Sequence, residues 1–173
     1  MITELEFHQE TPKGEVFRAV RSFVEKLGFT IADFDDTRPW GGFFYVDEGQ
    51  STKFIETFFP HLNPDDFTGF ARLSPKILLV APGKRLSWQY HHRRSEIWKL
   101  IGGKAAVVVS DTDAQMPERN LVPGDLVSLR QGERHRLMGT TGWGIVAEIW
   151  QHTDATHPSD EDDIVRVEDD FGR

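Results

Sequence analysis

The 173-residue chain contains no cysteine, so it forms no disulfide, binds no metal through thiolate and uses no cysteine nucleophile. No apolar run approaches the roughly 20 residues of a membrane-spanning helix. The beginning, Met1-Ile-Thr-Glu-Leu-Glu6, lacks the pattern of a signal peptide. A cytoplasmic location is the expectation that follows. Basic residues are also short: 20 Lys and Arg against 28 Asp and Glu give a formal charge of −8. That balance argues against nucleic acid or an anionic membrane as partner. Much of the acid sits at 160–163 and 168–170, so the rest of the chain is closer to neutral. Internal repeats and low-complexity segments are absent too.

What is present reads as one domain with additions. Thr11-Pro12 offers a helix start, and Val16, Val20, Phe23 and Leu27 share a helical face before Gly28 stops the run. Residues 1–36 are therefore expected to form an N-terminal helical extension. Residues 37–46 enter a strand after a Pro/Gly turn. Within 47–76 the residues 52–59 predict a short helix, and Pro60, Pro64 and Pro75 then break the pattern. This long insertion is expected at the rim of the fold, as a lid, with disorder and dimer packing as the alternatives. From Lys76 onward, short runs predict strands at 77–81, 86–91, 96–101, 105–110, 125–130, 134–138 and 145–151, punctuated by glycine turns. Strands at this spacing without helices between them predict an all-β, antiparallel jelly-roll barrel over 37–158. The acidic tail 159–173 carries Ile164, Val165 and Phe171 and is expected to pack back onto it.

The most informative stretch is Gly83-Lys-Arg-Leu-Ser-Trp-Gln-Tyr-His-His-Arg-Arg-Ser-Glu-Ile-Trp-Lys-Leu-Ile-Gly-Gly103. Strand side chains at i, i+2 and i+4 share a face, which puts Arg85, Ser87, Gln89 and His91 together and Trp88 and Tyr90 opposite. With a hairpin closed at 92–95, Gln89, His91 and Glu96 can converge inside the barrel. His135, following the Gly132 turn, would arrive from a distant strand as the fourth ligand. Two imidazoles, a carboxylate and an amide suit a divalent ion, Zn²⁺ or Mn²⁺ foremost, with Fe²⁺, Co²⁺ and Ni²⁺ also compatible. Such a set leaves a coordination position open, as a catalytic metal needs. His92 should point away from His91 unless the strand has ended; it is either an extra ligand or a substrate contact. His8, His61, His152 and His157 have no comparable setting.

These two motifs resemble those of the cupin superfamily, with Gln89 in place of the first histidine, Arg130 of the proline and Gly139 of the asparagine. Together with Arg38-Pro-Trp-Gly41, His91-His-Arg-Arg-Ser-Glu96, His135-Arg136-Leu137 and the tail Glu161-Asp-Asp-Ile-Val-Arg166, the chain resembles the type II mannose-6-phosphate isomerases. In bifunctional members of that family such a cupin follows a sugar nucleotidyltransferase domain, of which this sequence has no trace. The resemblance implies a metal-dependent aldose–ketose isomerase acting on mannose 6-phosphate or a related sugar, and a homodimer. A non-catalytic sugar-binding cupin and another cupin metalloenzyme, a dioxygenase or an epimerase, are the alternatives. An isomerase needs a base near C2. Glu148, among apolar neighbours in Val146-Ala-Glu-Ile-Trp150, is the candidate, with an outward-facing strand residue as the competing interpretation. A phosphorylated sugar needs cationic donors, for which arginine's planar fork is suited. Arg38, Arg136 and Arg166 lie in the matching motifs as substrate-binding candidates. Arg85, sharing the face of Gln89 and His91, is expected to contact the substrate directly. Trp98 is placed to pack beside the metal.

Overall fold

The computed structural model describes residues 3–70 and 72–173. Met1, Ile2 and Ala71, which fall within the N-terminal and 47–76 segments read from the sequence, lie outside the described residues. The N-terminal helix α1 spans Lys13–Lys26, with Pro12 at its N-cap rather than inside the first turn. Its buried stripe is Val16, Phe17, Val20, Phe23 and Val24, while Leu27 is half exposed. A second helix, α2, covers Ser51–Phe58. The strands in chain order are β1 Ile31–Asp35, β2 Gly41–Val46, β3 Lys76–Val80, β4 Trp88–Tyr90, β5 Arg94–Ser110, β6 Arg119–Leu121, β7 Leu126–Leu129, β8 Arg134–His152 and β9 Val165–Glu168.

All named pairings are antiparallel, so the expected all-β jelly-roll architecture holds. The path runs β1-β2-β3-β8-β4-β9, with β5 pairing β6, β7 and β8. The detail differs from the sequence reading in one informative way. The glycines at 102–103 and 139–142 were expected to end strands, but β5 and β8 run through them. Register shifts at Leu100/Gly102 and Gly103/Ala105 let the two strands bend instead of turn. Gly103 has φ 68°, and a Cβ there would lie 1.9 Å from the Trp143 carbonyl, so only glycine permits the bend. Each long strand thereby serves both halves of the barrel.

Strand alternation splits the apolar residues into two sets. Phe44, Ile77, Leu79, Ile145, Ala147 and Ile149 face outward and pack with α1, α2, Phe59, Phe67 and Leu73. Phe43, Leu78, Val80, Leu100, Leu137 and Val146 face inward. The described residues of 47–75 thus cover the outer face of the sheet, and none of them lines the internal cavity. The Phe-rich sequence of that segment explains its placement, because a sheet that is apolar on both faces needs a second cover.

Candidate metal centre

One row of the β-ladder carries Lys76, Glu148, Trp98 and Val127 across β3, β8, β5 and β7. The next row sets Trp150 opposite Glu96. A cleft of about 580 Å³, counting its open mouth, is lined by Lys76, Glu96, Trp98, Glu148 and Trp150 together with Gln89 and Arg94. β4 and β5 do not pair with each other among the described residues, so the expected hairpin is absent. Gln89 instead meets His135 through β4–β8 register, and His91, just past β4, meets Glu96 across the barrel interior.

His91, Glu96 and His135 are all buried, with potential ligand atoms within 4.8 Å of one another. His91 Nδ1 donates to the Asp163 carbonyl at 2.7 Å and His135 Nδ1 to the Glu133 carbonyl at 2.9 Å. A carbonyl only accepts, so both rings carry their proton on Nδ1 and turn an Nε2 lone pair inward. Those nitrogens lie 3.3 Å from Glu96 Oε1 and 3.5 Å from Glu96 Oε2, respectively. Burial pushes the His91 pKa down to about 3 and lowers that of His135, so both rings are neutral. Burial alone would raise Glu96, but the charge and hydrogen bond of Arg94 hold it down at about 2. Glu96 Oε2 and His135 Nε2 are buried without hydrogen-bond partners. Two lone pairs aimed at each other in a dry interior repel unless a cation lies between them. The donor set fits a divalent ion. Gln89 is buried opposite His135 in the β4–β8 register, with Oε1 accepting from Ser87 Oγ at 2.5 Å.

Glu148 lies inside the barrel and is 4% exposed. Its Oε1 accepts from Trp150 Nε1 at 2.9 Å and its Oε2 from Trp98 Nε1 at 2.5 Å. Burial, followed by the nearby Glu96 charge, raises its pKa to about 7, against the pull of Lys76 and Arg94. Trp98 also packs edge-on to His135, with ring centroids 5.4 Å apart.

The remaining candidates separate. Arg38 and Arg166 line the mouth of the cleft, joined by Arg173. Arg38 is tethered to Asp35 at 2.9 Å and Arg173 to Asp169 at 2.9 Å. Arg85, expected to reach the substrate, is instead held outside by Asp170 at 2.6 Å and Glu168 at 3.3 Å. Its alternation with Gln89 is broken because β4 begins only at Trp88. Arg136 is fully buried but turned to the Leu86 carbonyl at 2.9 Å and to Glu168, not to the cleft. His92 is exposed and packs against Tyr90; its amide donates to Asp163. None of these three lines the cleft.

Sequence reasoning missed Arg94, Lys76 and Arg173. Arg94 sits two residues before Glu96 on the same face, but it was assigned to a turn. Its Nε donates to Glu96 Oε1 at 2.7 Å, and a terminal nitrogen donates to His91 Nε2 at 3.0 Å. Lys76 is buried, bonded to Glu161 at 2.8 Å, with Nζ 3.6 Å from the Trp150 ring centroid.

Residues 65–169 match the family model described as mannose-6-phosphate isomerase C-terminal. The chain belongs to that family. It is 31% identical over 136 residues to the alginate biosynthesis protein AlgA of Pseudomonas aeruginosa, covering 79% of this chain and 22% of that one. It is 30% identical to the xanthan biosynthesis protein XanB of Xanthomonas campestris, covering 79% of this chain and 23% of the relative. The chain therefore spans less than a quarter of the curated relatives it matches. Among solved structures, the capsular polysaccharide assembling protein CapF of Staphylococcus aureus superposes with a TM-score of 0.52. It is 14% identical and covers 79% of this chain and 34% of its own, a likeness of fold alone. No helix among the described residues is long and apolar enough to cross a membrane.

Proposed function

We propose that this member of the family is a metal-dependent aldose–ketose isomerase acting on mannose 6-phosphate or a closely related sugar phosphate. One observation carries the reading: a buried carboxylate poised near neutrality, Glu148, shares a cleft with Glu96, which converges behind it with His91 and His135. Gln89, His91, Glu96 and His135 would hold the divalent ion, which supplies Lewis acidity toward the sugar's C1 and C2 oxygens.

The rest of the chemistry falls to the chain. Glu148 takes the proton from C2 and returns it to C1 while the hydroxyl proton passes from the C2 oxygen to the C1 oxygen, a task that suits a base whose pKa lies close to the working pH. The indole donors of Trp98 and Trp150 fix both of its oxygens, so its orientation costs nothing at the moment of transfer. Arg38, Arg166 and Arg173 at the mouth offer three guanidinium forks to a phosphate. The aromatic walls at Trp40, Phe43, Trp98 and Trp150 exclude water from the reacting carbons. A homodimer belongs to the same proposal, and light scattering would read it directly.

The deciding assay is anaerobic conversion of mannose 6-phosphate to fructose 6-phosphate by the metal-loaded protein in deuterium oxide. Product that carries solvent deuterium supports the isomerase. Sugar-dependent thermal stabilisation without any exchange would make the protein a binding module instead. Oxygen consumption would make it an oxygenase.

A further inference from the structure

Arg94 stands where a second-layer residue is not expected. One guanidinium spans two of the ligand groups, donating to Glu96 Oε1 at 2.7 Å and to His91 Nε2 at 3.0 Å. The proton on His91 Nδ1 is committed to the Asp163 carbonyl, so Nε2 has the only lone pair available to a metal. That lone pair can accept one hydrogen bond or bind one cation, not both. Arginine cannot lose its proton to share it. By contrast, His135 Nε2 and Glu96 Oε2 have no partner. The donor set is therefore uneven, with two ligand atoms free and a third engaged by a fixed positive charge.

We infer that Arg94 competes with the divalent ion for His91 and Glu96, so that loading the centre requires its terminal nitrogen to withdraw from His91 into the cleft. The inference rests on the metal-centre reading above and adds a direction to it. The other anchors of the side chain leave room for such a pivot. One terminal nitrogen donates to Ser159 Oγ at 3.2 Å and to the Asp160 carbonyl at 3.1 Å, and the guanidinium carbon lies 3.5 Å from the Trp150 ring centroid. None of these contacts uses a ligand atom, so the planar head can pivot about that anchored nitrogen over the Trp150 ring while the other nitrogen leaves. The released N–H group turns toward the space beside Glu148, where an oxygen of the substrate can accept it. Metal arrival and the appearance of a new donor in the cleft are then one event. Arg94 acts as a positioning residue that weakens the ion in exchange for this coupling.

The test measures Zn²⁺ affinity by calorimetry on the full chain, as wild type, Arg94→Met and Arg94→Lys. Arg94→Met should bind about tenfold tighter, the worth of one charge-assisted hydrogen bond released. Arg94→Lys, which keeps the charge without the fork, should fall between. In a ¹⁵N-arginine spectrum of the wild type, the Arg94 Nε signal should move as Zn²⁺ saturates. A merely structural Arg94 would make both variants bind more weakly. Equal or weaker binding by the variants, with the wild type still binding, would overturn the competition alone. Failure of all three proteins to bind Zn²⁺ would overturn the metal centre along with it. Should Arg94→Met not fold, the Arg94→Lys affinity and the Nε signal decide the matter.

Discussion

Strands β2, β3 and β8 carry two faces of unlike chemistry made from alternate residues. Outward, Phe44, Ile77, Leu79, Ile145, Ala147 and Ile149 are sealed beneath α1, α2 and the phenylalanines of 47–75. Inward, the same strands begin apolar at Phe43, Leu78 and Val146. One register row along, they turn to Lys76, Glu148 and the facing Trp98. The outer face holds stability in dispersion and burial. The inner face spends some of that stability to keep charged groups dry. A change on one face should therefore damage folding and leave the site intact, and a change on the other should do the reverse.

The largest expected effect lies on the inner face. Glu148→Gln should cut turnover by about 10²- to 10⁴-fold, the usual worth of a positioned base, while metal content measured by plasma emission stays unchanged. Full activity in that variant would remove Glu148 from the mechanism. On the outer face, Phe54 is fully buried between Phe29 and Phe58. Phe54→Ala should cost about 3–5 kcal/mol in urea unfolding, with metal stoichiometry preserved in the absence of denaturant. Loss of the metal at full folding would show the two faces to be coupled after all.

The pH dependence sharpens the contrast further. Burial raises Glu148 from its ordinary 4.5 to about 7, so the folded chain holds that proton more tightly than the unfolded one. Its contribution to stability is complete below pH about 4.5 and is lost as pH rises through about 7, on the order of 3 kcal/mol. His91 and His135, held below their ordinary values by burial, act in the opposite sense as pH falls below 6.5. They do so equally in wild type and variant. Denaturation at several pH values should therefore give Glu148→Gln a smaller loss of stability between pH 5 and 7.5, roughly. Identical slopes would place Glu148 in a wetter environment than its burial implies. The smallest effect separates two arginines. Arg166→Ala should raise KM for mannose 6-phosphate about tenfold through one lost phosphate contact, and Arg85→Ala by less than about twofold. Equal effects would bring Arg85 into the site despite its pairing with Asp170.

Much of this was readable from residue order, and the failures have physical causes. The helix at 13–27, the strand texture beyond Lys76 and the triad of His91, Glu96 and His135 all follow from local periodicity and from chemically scarce side chains. Arg85 was misplaced because a face-sharing argument holds only inside a strand, and β4 starts three residues later. Arg94 was overlooked for the converse reason, since β5 starts two residues earlier than its apolar pattern. Lys76 marked only the start of the strand texture. Only its partners Glu161 and Trp150, distant in sequence, explain a buried ammonium.

Sequence alone determined the alternation of side chains along each strand, the absence of thiol chemistry and the identity of the nitrogen and oxygen donors, because these depend on neighbours along the chain. Tertiary structure decided which donors meet, which arginines turn inward and which carboxylate is held near neutrality. Those outcomes depend on cross-strand register and on burial, and both are set largely by strands distant along the chain.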